Sequence, residues 1–144
     1  MRPMFVSRDL VLTLRPKQWT KNLLVFAGLV FSGDLLVPAL FARAAQAFLI
    51  FSVLSAAVYV INDVIARDHD RFHPVKRNRP VAAGRISAET AATVAILMGA
   101  GATLAAFRLD GRFGQIAVGY LALMIGYSLW LKHLVIIDAA TIAV

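Results

Sequence analysis

Blocks of about twenty predominantly apolar residues dominate this chain and leave it few ways to fold. The clearest are AAQAFLIFSVLSAAVYVI, ETAATVAILMGAGATLAAF and FGQIAVGYLALMIGYSLWL. A bilayer core about 30 Å thick needs about 20 mostly apolar residues to be crossed as a helix. The chain is 60% hydrophobic, against about 45–50% in an ordinary soluble domain. Its mean hydropathy is +0.74. The blocks therefore predict an all-α fold, a multi-span transmembrane helix bundle.

Punctuation residues divide the bundle. Residues 1–14 read as a short lead-in. Pro16 suits a first helical position, and a first helix is expected from Pro16 to about Gly33. Its length of about 27 Å is barely a span. Gly33, Asp34 and Pro38 mark a turn. A second helix covers about 42–66. Pro74 and Pro80 forbid a regular helix through the polar stretch that follows. Ser87 can cap a third helix, about 88–107, where Gly99, Ala100 and Gly101 would let a neighbour approach closely. A fourth helix runs about 113–131. A fifth apolar segment, LVIIDAATIAV, stops at Val144. About eleven residues cannot cross the bilayer as a helix. The expectation is four spans plus a truncated fifth, all belonging to part of a longer protein. Asp138, acidic within that segment, is expected to face a cavity or a partner.

The formal charge is +7, yet no aromatic-interleaved basic surface suggests nucleic acid. The charges instead follow the positive-inside rule. With a cytoplasmic N-terminus, twelve of the fifteen Lys and Arg fall on the inner side. Arg43, Arg108 and Arg112 are left outside. The reading is a multi-pass protein of the cell membrane. There is no cysteine, which excludes a disulfide framework and a thiolate metal site. No cleavable signal peptide is apparent.

The segment from Asn62 to Pro80 carries the chemistry. Asp63 and Asp70 are seven apart and project within about 20° of each other on a continuous helix. Two carboxylates on one face at a membrane boundary are costly unless paired or metal-bound. Mg²⁺ takes oxygen ligands and bridges carboxylates to phosphates. Arg71, Lys76, Arg77 and Arg79 follow closely and suit phosphate oxygens. Charges that merely set topology are the alternative for the basic residues, but acidic residues contribute little to topology. Lys17 and Lys21, four apart, are expected on one face at the start of the first helix. They would either contact the same anion or snorkel beside Trp19. Tyr127 and Lys132 sit at the same end of the fourth helix; packing or interface anchoring is the alternative for Tyr127. His69, His73 and His133 do not have a zinc-ligand spacing.

The order RPKQWTKN, then NDVIARDHDRFHPVKRNRPVAAG, then YSLWLKH resembles the UbiA-type prenyltransferases over nearly the whole chain. Within them it is most similar to the branch that transfers phosphoribose from phosphoribosyl diphosphate to a polyprenyl phosphate, for cell-wall arabinan precursors. The resemblance implies membrane helices around a cytoplasm-facing polar cavity, where two aspartate-rich motifs hold Mg²⁺ and a diphosphate. It implies that Asp63 and Asp70 are metal ligands, with Asn62 orienting ligand or metal. It implies that Lys17, Lys21, Lys76, Arg77 and Arg79, with Tyr127 and Lys132, bind substrate. The family's middle aspartate is Ala66 here, and Asp68 points about 140° away from Asp63 on a continuous helix. The second aspartate motif is expected in a missing half, residues 1–144 forming the N-terminal part of a UbiA-like domain. Alone, the chain is expected to be inactive. The alternatives are an aromatic prenyltransferase using a polyprenyl diphosphate donor, and a non-catalytic membrane module. A homo-oligomer is left open.

Overall fold

The computed structural model describes residues 3–131. Three helices there are long and apolar enough to cross a bilayer: Pro38–Ile65, Ala88–Leu109 and Gly111–Trp130. Among the described residues there is no strand. In chain order the α-helices are α1 (Pro3–Leu14), α2 (Ala27–Ser32), α3 (Pro38–Ile65), α4 (Arg67–Phe72), α5 (Ala88–Leu109) and α6 (Gly111–Gly126). A π-helical segment, Tyr127–Leu131, prolongs α6. The expected fifth segment, with Lys132, His133 and Asp138, lies outside the described residues.

The bundle closes on small side chains. On α5 the buried positions are Ala91, Ala95, Gly99, Ala102 and Ala106, a stripe at helical spacing. It faces α3, where Ala56 and Ala57 are fully buried. Lipid tails are as apolar as Leu, so helices in a bilayer associate through close van der Waals packing rather than a hydrophobic drive. Of the three expected small residues, Gly99 alone is buried, with Ala57 Cβ 3.8 Å from where its own Cβ would lie; Ala100 and Gly101 face outward. Leu54 joins Ala102, Ala106 and Ala117 in a second cluster, flanked by Phe51 and Tyr120. Leu49, Ile96, Leu97, Leu104, Ile116 and Leu123 point away from the bundle, as lipid-facing residues do.

The N-termini of α5 and α6 are capped by the residues that local rules require. Ser87 Oγ accepts the Thr90 N–H at the start of α5. Asp110 accepts the N–H groups of Arg112 and Phe113 at the start of α6 and pairs with Arg43 at 3.6 Å. Backbone hydrogen bonds pull the carboxyl of Asp110 below its ordinary range.

The first segment departs from expectation. The lead-in is helical: α1 sends Leu10 and Leu14 into a cluster with Val60, Val81, Ile86, Ala91 and Ala95. Asp9 anchors it through Arg85 at 3.1 Å. At Arg15 the backbone turns left-handed (φ 51°, ψ 57°). Pro16–Phe26 is then 3₁₀-helical, not α-helical, before α2. A 3₁₀ helix rises about 2.0 Å per residue, so Pro16–Ser32 reaches about 30 Å rather than the shorter α-helical length. The amide of Asn22 donates to Ser52 and Ser55 of α3, both at 3.2 Å, which ties the 3₁₀ stretch to the bundle.

Candidate functional site

Asp63 closes the last turn of α3 and Asp70 lies on α4, just beyond a break at Ala66 (φ −85°, ψ 0°). The Asp70 N–H still bonds the Ala66 carbonyl at 2.8 Å, so the two helices bend without parting. The expected convergence of the aspartates survives the bend. Both are buried, at 2% and 4% exposure. Asp68 is exposed and pairs with Arg67 at 3.3 Å, facing away as the helical angle required.

A loop from His73 to Ser87 brings the basic residues back over the aspartates. Val81 and Ile86 sink into the cluster beneath α1, and Gly84 (φ +73°) makes the turn between them. That seating aims Arg79 inward. Its Nη1 donates to Asp63 Oδ1 at 3.0 Å and to Asp70 Oδ2 at 2.8 Å. Arg15 pairs with the same Asp63 oxygen and lies 5.1 Å from the centre of the Tyr59 ring. Two carboxylates and two guanidiniums thus form a formally neutral knot where α1, α3, α4 and the loop meet.

Other expected site residues arrange themselves less tightly. Asn62 is half-buried beside Asp63. Lys76 is half-buried and Arg77 exposed, and no ion pair among the described residues engages either. Lys17 and Lys21 do not share a face. A 3₁₀ helix turns about 120° per residue, so positions three apart eclipse and positions four apart diverge. Lys17 lines a cavity of about 320 Å³ with Arg15, Val11 and Leu12. Lys21 lines another with Asn22 and Phe51. Tyr127 opens the π-helical segment and is 46% exposed. No hydrogen bond among the described residues joins it to the aspartates.

Arg15 escaped the sequence reading, where it counted only toward topology. The residue before a proline is disfavoured in the helical region, so the Arg15–Pro16 pair does mark a corner. Its reach to Asp63, 48 positions away, has no local sequence signal.

The donor set suits a magnesium ion. Oxygens from Asp63 and Asp70 already converge on one cationic atom. Mg²⁺ binds through one or two carboxylates together with substrate phosphates, not through an all-protein cage. Among the described residues no group of three or more His, Cys, Asp or Glu side chains that could hold a metal occurs. Lys76 and Arg77 lie in the short 3₁₀ turn that immediately precedes Arg79.

Comparison with known proteins places this geometry in a lineage. Residues 22–144 match the UbiA prenyltransferase family. The chain is 34% identical to the decaprenyl-phosphate phosphoribosyltransferase of Mycobacterium tuberculosis, over 98% of this chain and 48% of that protein. The protein of the same name from Corynebacterium glutamicum is also 34% identical, over 98% of this chain and 44% of its own length. Nodulation protein NoeC of Azorhizobium caulinodans is 34% identical over 78% of this chain and 36% of its own length. The chain spans about half the length or less of these relatives. With its apolar helices, its buried aspartate pair and a match that covers most of its residues, the chain belongs to the UbiA prenyltransferase family.

Proposed function

We propose that this chain supplies the N-terminal part of a UbiA-like membrane domain that moves a phosphoribosyl group from phosphoribosyl diphosphate to a polyprenyl phosphate, with Mg²⁺. The observation that carries this reading is the convergence of Asp63 and Asp70 on one cationic point, Arg79, with Lys76 and Arg77 in the turn just before it. The names of relatives 34% identical, decaprenyl-phosphate phosphoribosyltransferases, support a phosphoribosyl group and a polyprenyl-phosphate acceptor. When bound, the metal stabilises charge developing on the diphosphate leaving group. Asp63 and Asp70 hold it, Asn62 orients it or the donor, and Lys76, Arg77 and Arg79 clamp phosphate oxygens. Lys17 and Lys21 reach phosphate groups from separate cavities, and Tyr127 and Lys132 complete the substrate-binding set. The protein lies in the cell membrane with its N-terminus cytoplasmic.

Equilibrium binding of labelled phosphoribosyl diphosphate, with the protein in nanodiscs, tests the reading. Binding should require Mg²⁺ and be competed by inorganic diphosphate. Asp70→Asn should weaken it about tenfold or more, as expected for loss of a carboxylate ligand. Ala66→Asp should tighten it, and Asp68→Asn should leave it unchanged. Displacement of the donor by a polyprenyl diphosphate at lower concentration would instead favour an aromatic prenyltransferase.

A further inference from the structure

The cation between the two aspartates is a side chain on the rim of the site. Arg79 is 27% exposed while the carboxylates it bridges are 3% and 5% exposed. It stands just after the short 3₁₀ turn Lys76–Asn78, in extended backbone. Arg15 is fixed differently: its backbone is locked in a left-handed corner and its guanidinium lies over Tyr59. The two guanidiniums are similarly exposed, at 23% and 27%, but Arg15 has the Tyr59 ring as a second contact, whereas Arg79 alone bridges both carboxylates.

We propose that Arg79 is a built-in stand-in for the divalent cation, seated between Asp63 and Asp70 in the metal-free protein and released toward the diphosphate when metal and donor bind. The inference rests on the metal reading above and adds a coupling to it. As the side chains stand, two carboxylates and two guanidiniums cancel. A divalent cation in the seat gives the same group an excess of two positive charges at short range, which is unfavourable without an anion. A diphosphate offsets that excess, and the freed Arg79 fork matches its oxygens. Arg15 stays on Asp63 throughout and keeps the carboxylate in place. Metal alone therefore binds weakly, and metal and diphosphate assist each other reciprocally, by about tenfold.

The test uses the chain in neutral-lipid nanodiscs, with Mn²⁺ as the paramagnetic probe and radiolabelled Mn²⁺–diphosphate as the second ligand. Arg79→Gln should tighten binding of Mn²⁺ alone about tenfold, because a competing cation is gone, and weaken retention of Mn²⁺–diphosphate about tenfold. Arg79→Lys keeps the charge and is the safer fold. It should move both readouts in the same two directions by about threefold, since a point charge replaces a fork. An Arg79 that only supports the fold would weaken both. Unchanged or weaker binding of Mn²⁺ alone to both variants, with Asp70-dependent Mn²⁺–diphosphate binding intact in the parent chain, overturns the exchange and leaves the metal reading standing. Absence of both ligands from every variant overturns both.

Discussion

Arg15 holds a backbone conformation that few residues adopt, and it holds it next to Asp63. A non-glycine residue in the left-handed region costs about 1–2 kcal/mol, and such outliers persist where surrounding contacts over-determine them. Here those contacts are the Asp63 ion pair and the Tyr59 ring. Two substitutions separate the corner from the charge. Arg15→Ala and Arg15→Gly both delete the guanidinium, and both should be less stable than the parent. Glycine meets the corner without a Cβ clash but loses more chain entropy on folding. The net expectation is that Arg15→Gly is the more stable of the two by about 0.5–1 kcal/mol. Unfolding in mixed micelles measures the difference; equal stabilities would mean that the corner relaxes once the ion pair is lost.

The elements differ in how far their sequence announces them. The α3–α5 contact is written in the spacing of small residues, and its energetics should follow their volumes. Gly99→Ala places a methyl 3.8 Å from Ala57 Cβ, an ordinary contact, and should be nearly neutral. Ala95→Leu at a fully buried position should cost about 1–3 kcal/mol by overpacking. The turn from α5 to α6 carries a pH signature. The lowered pKa of Asp110 means that its ionised form stabilises the fold. That contribution is complete above the ordinary carboxylate pKa and is lost as pH falls through the depressed one. Asp110→Asn keeps an acceptor for the cap but removes the charge, so its stability gap to the parent should close on acidification below about pH 4. A gap unchanged from pH 7 to 3 would count against the assignment. The spans, the Ser87 cap and the facing aspartates could be read because periodicity and capping are local rules. The 3₁₀ stretch could not. Pro16–Phe26 has an unexceptional helical composition, and its tie to the bundle, the Asn22 amide on two serines, lies about thirty positions away. Lys17 and Lys21 lost their common face because the stretch is 3₁₀-helical. The Arg79 bridge was half legible: the charge types were visible, and the loop fold that aims one of several cations inward was not.

At the scale of the whole molecule, charge is sorted between the two ends of the bundle. Arg15, Asp63, Asp70, Arg79, Asp9 and Arg85 meet at one end, while Arg43 and Asp110 meet at the other. The long apolar faces between them carry Leu49, Ile96, Leu104 and Leu123 outward. A bilayer around those faces puts the two groups on opposite sides. The excess of Lys and Arg at the aspartate end then favours the cytoplasm for that end, since positive residues near spans resist translocation. The absence of cysteine from the sequence makes single-cysteine labelling clean. Arg77 and Arg112 are both exposed, one at each end. Arg77→Cys should resist a membrane-impermeant maleimide added to intact cells and react after permeabilisation. Arg112→Cys should react in intact cells. Neither position packs in the core, so the fold should tolerate both changes. The reverse pattern would invert the orientation while leaving the bundle intact. Labelling of both from one side would break the link between the two ends and the two faces of the membrane, and with it the cytoplasmic placement of the Asp63–Asp70 site.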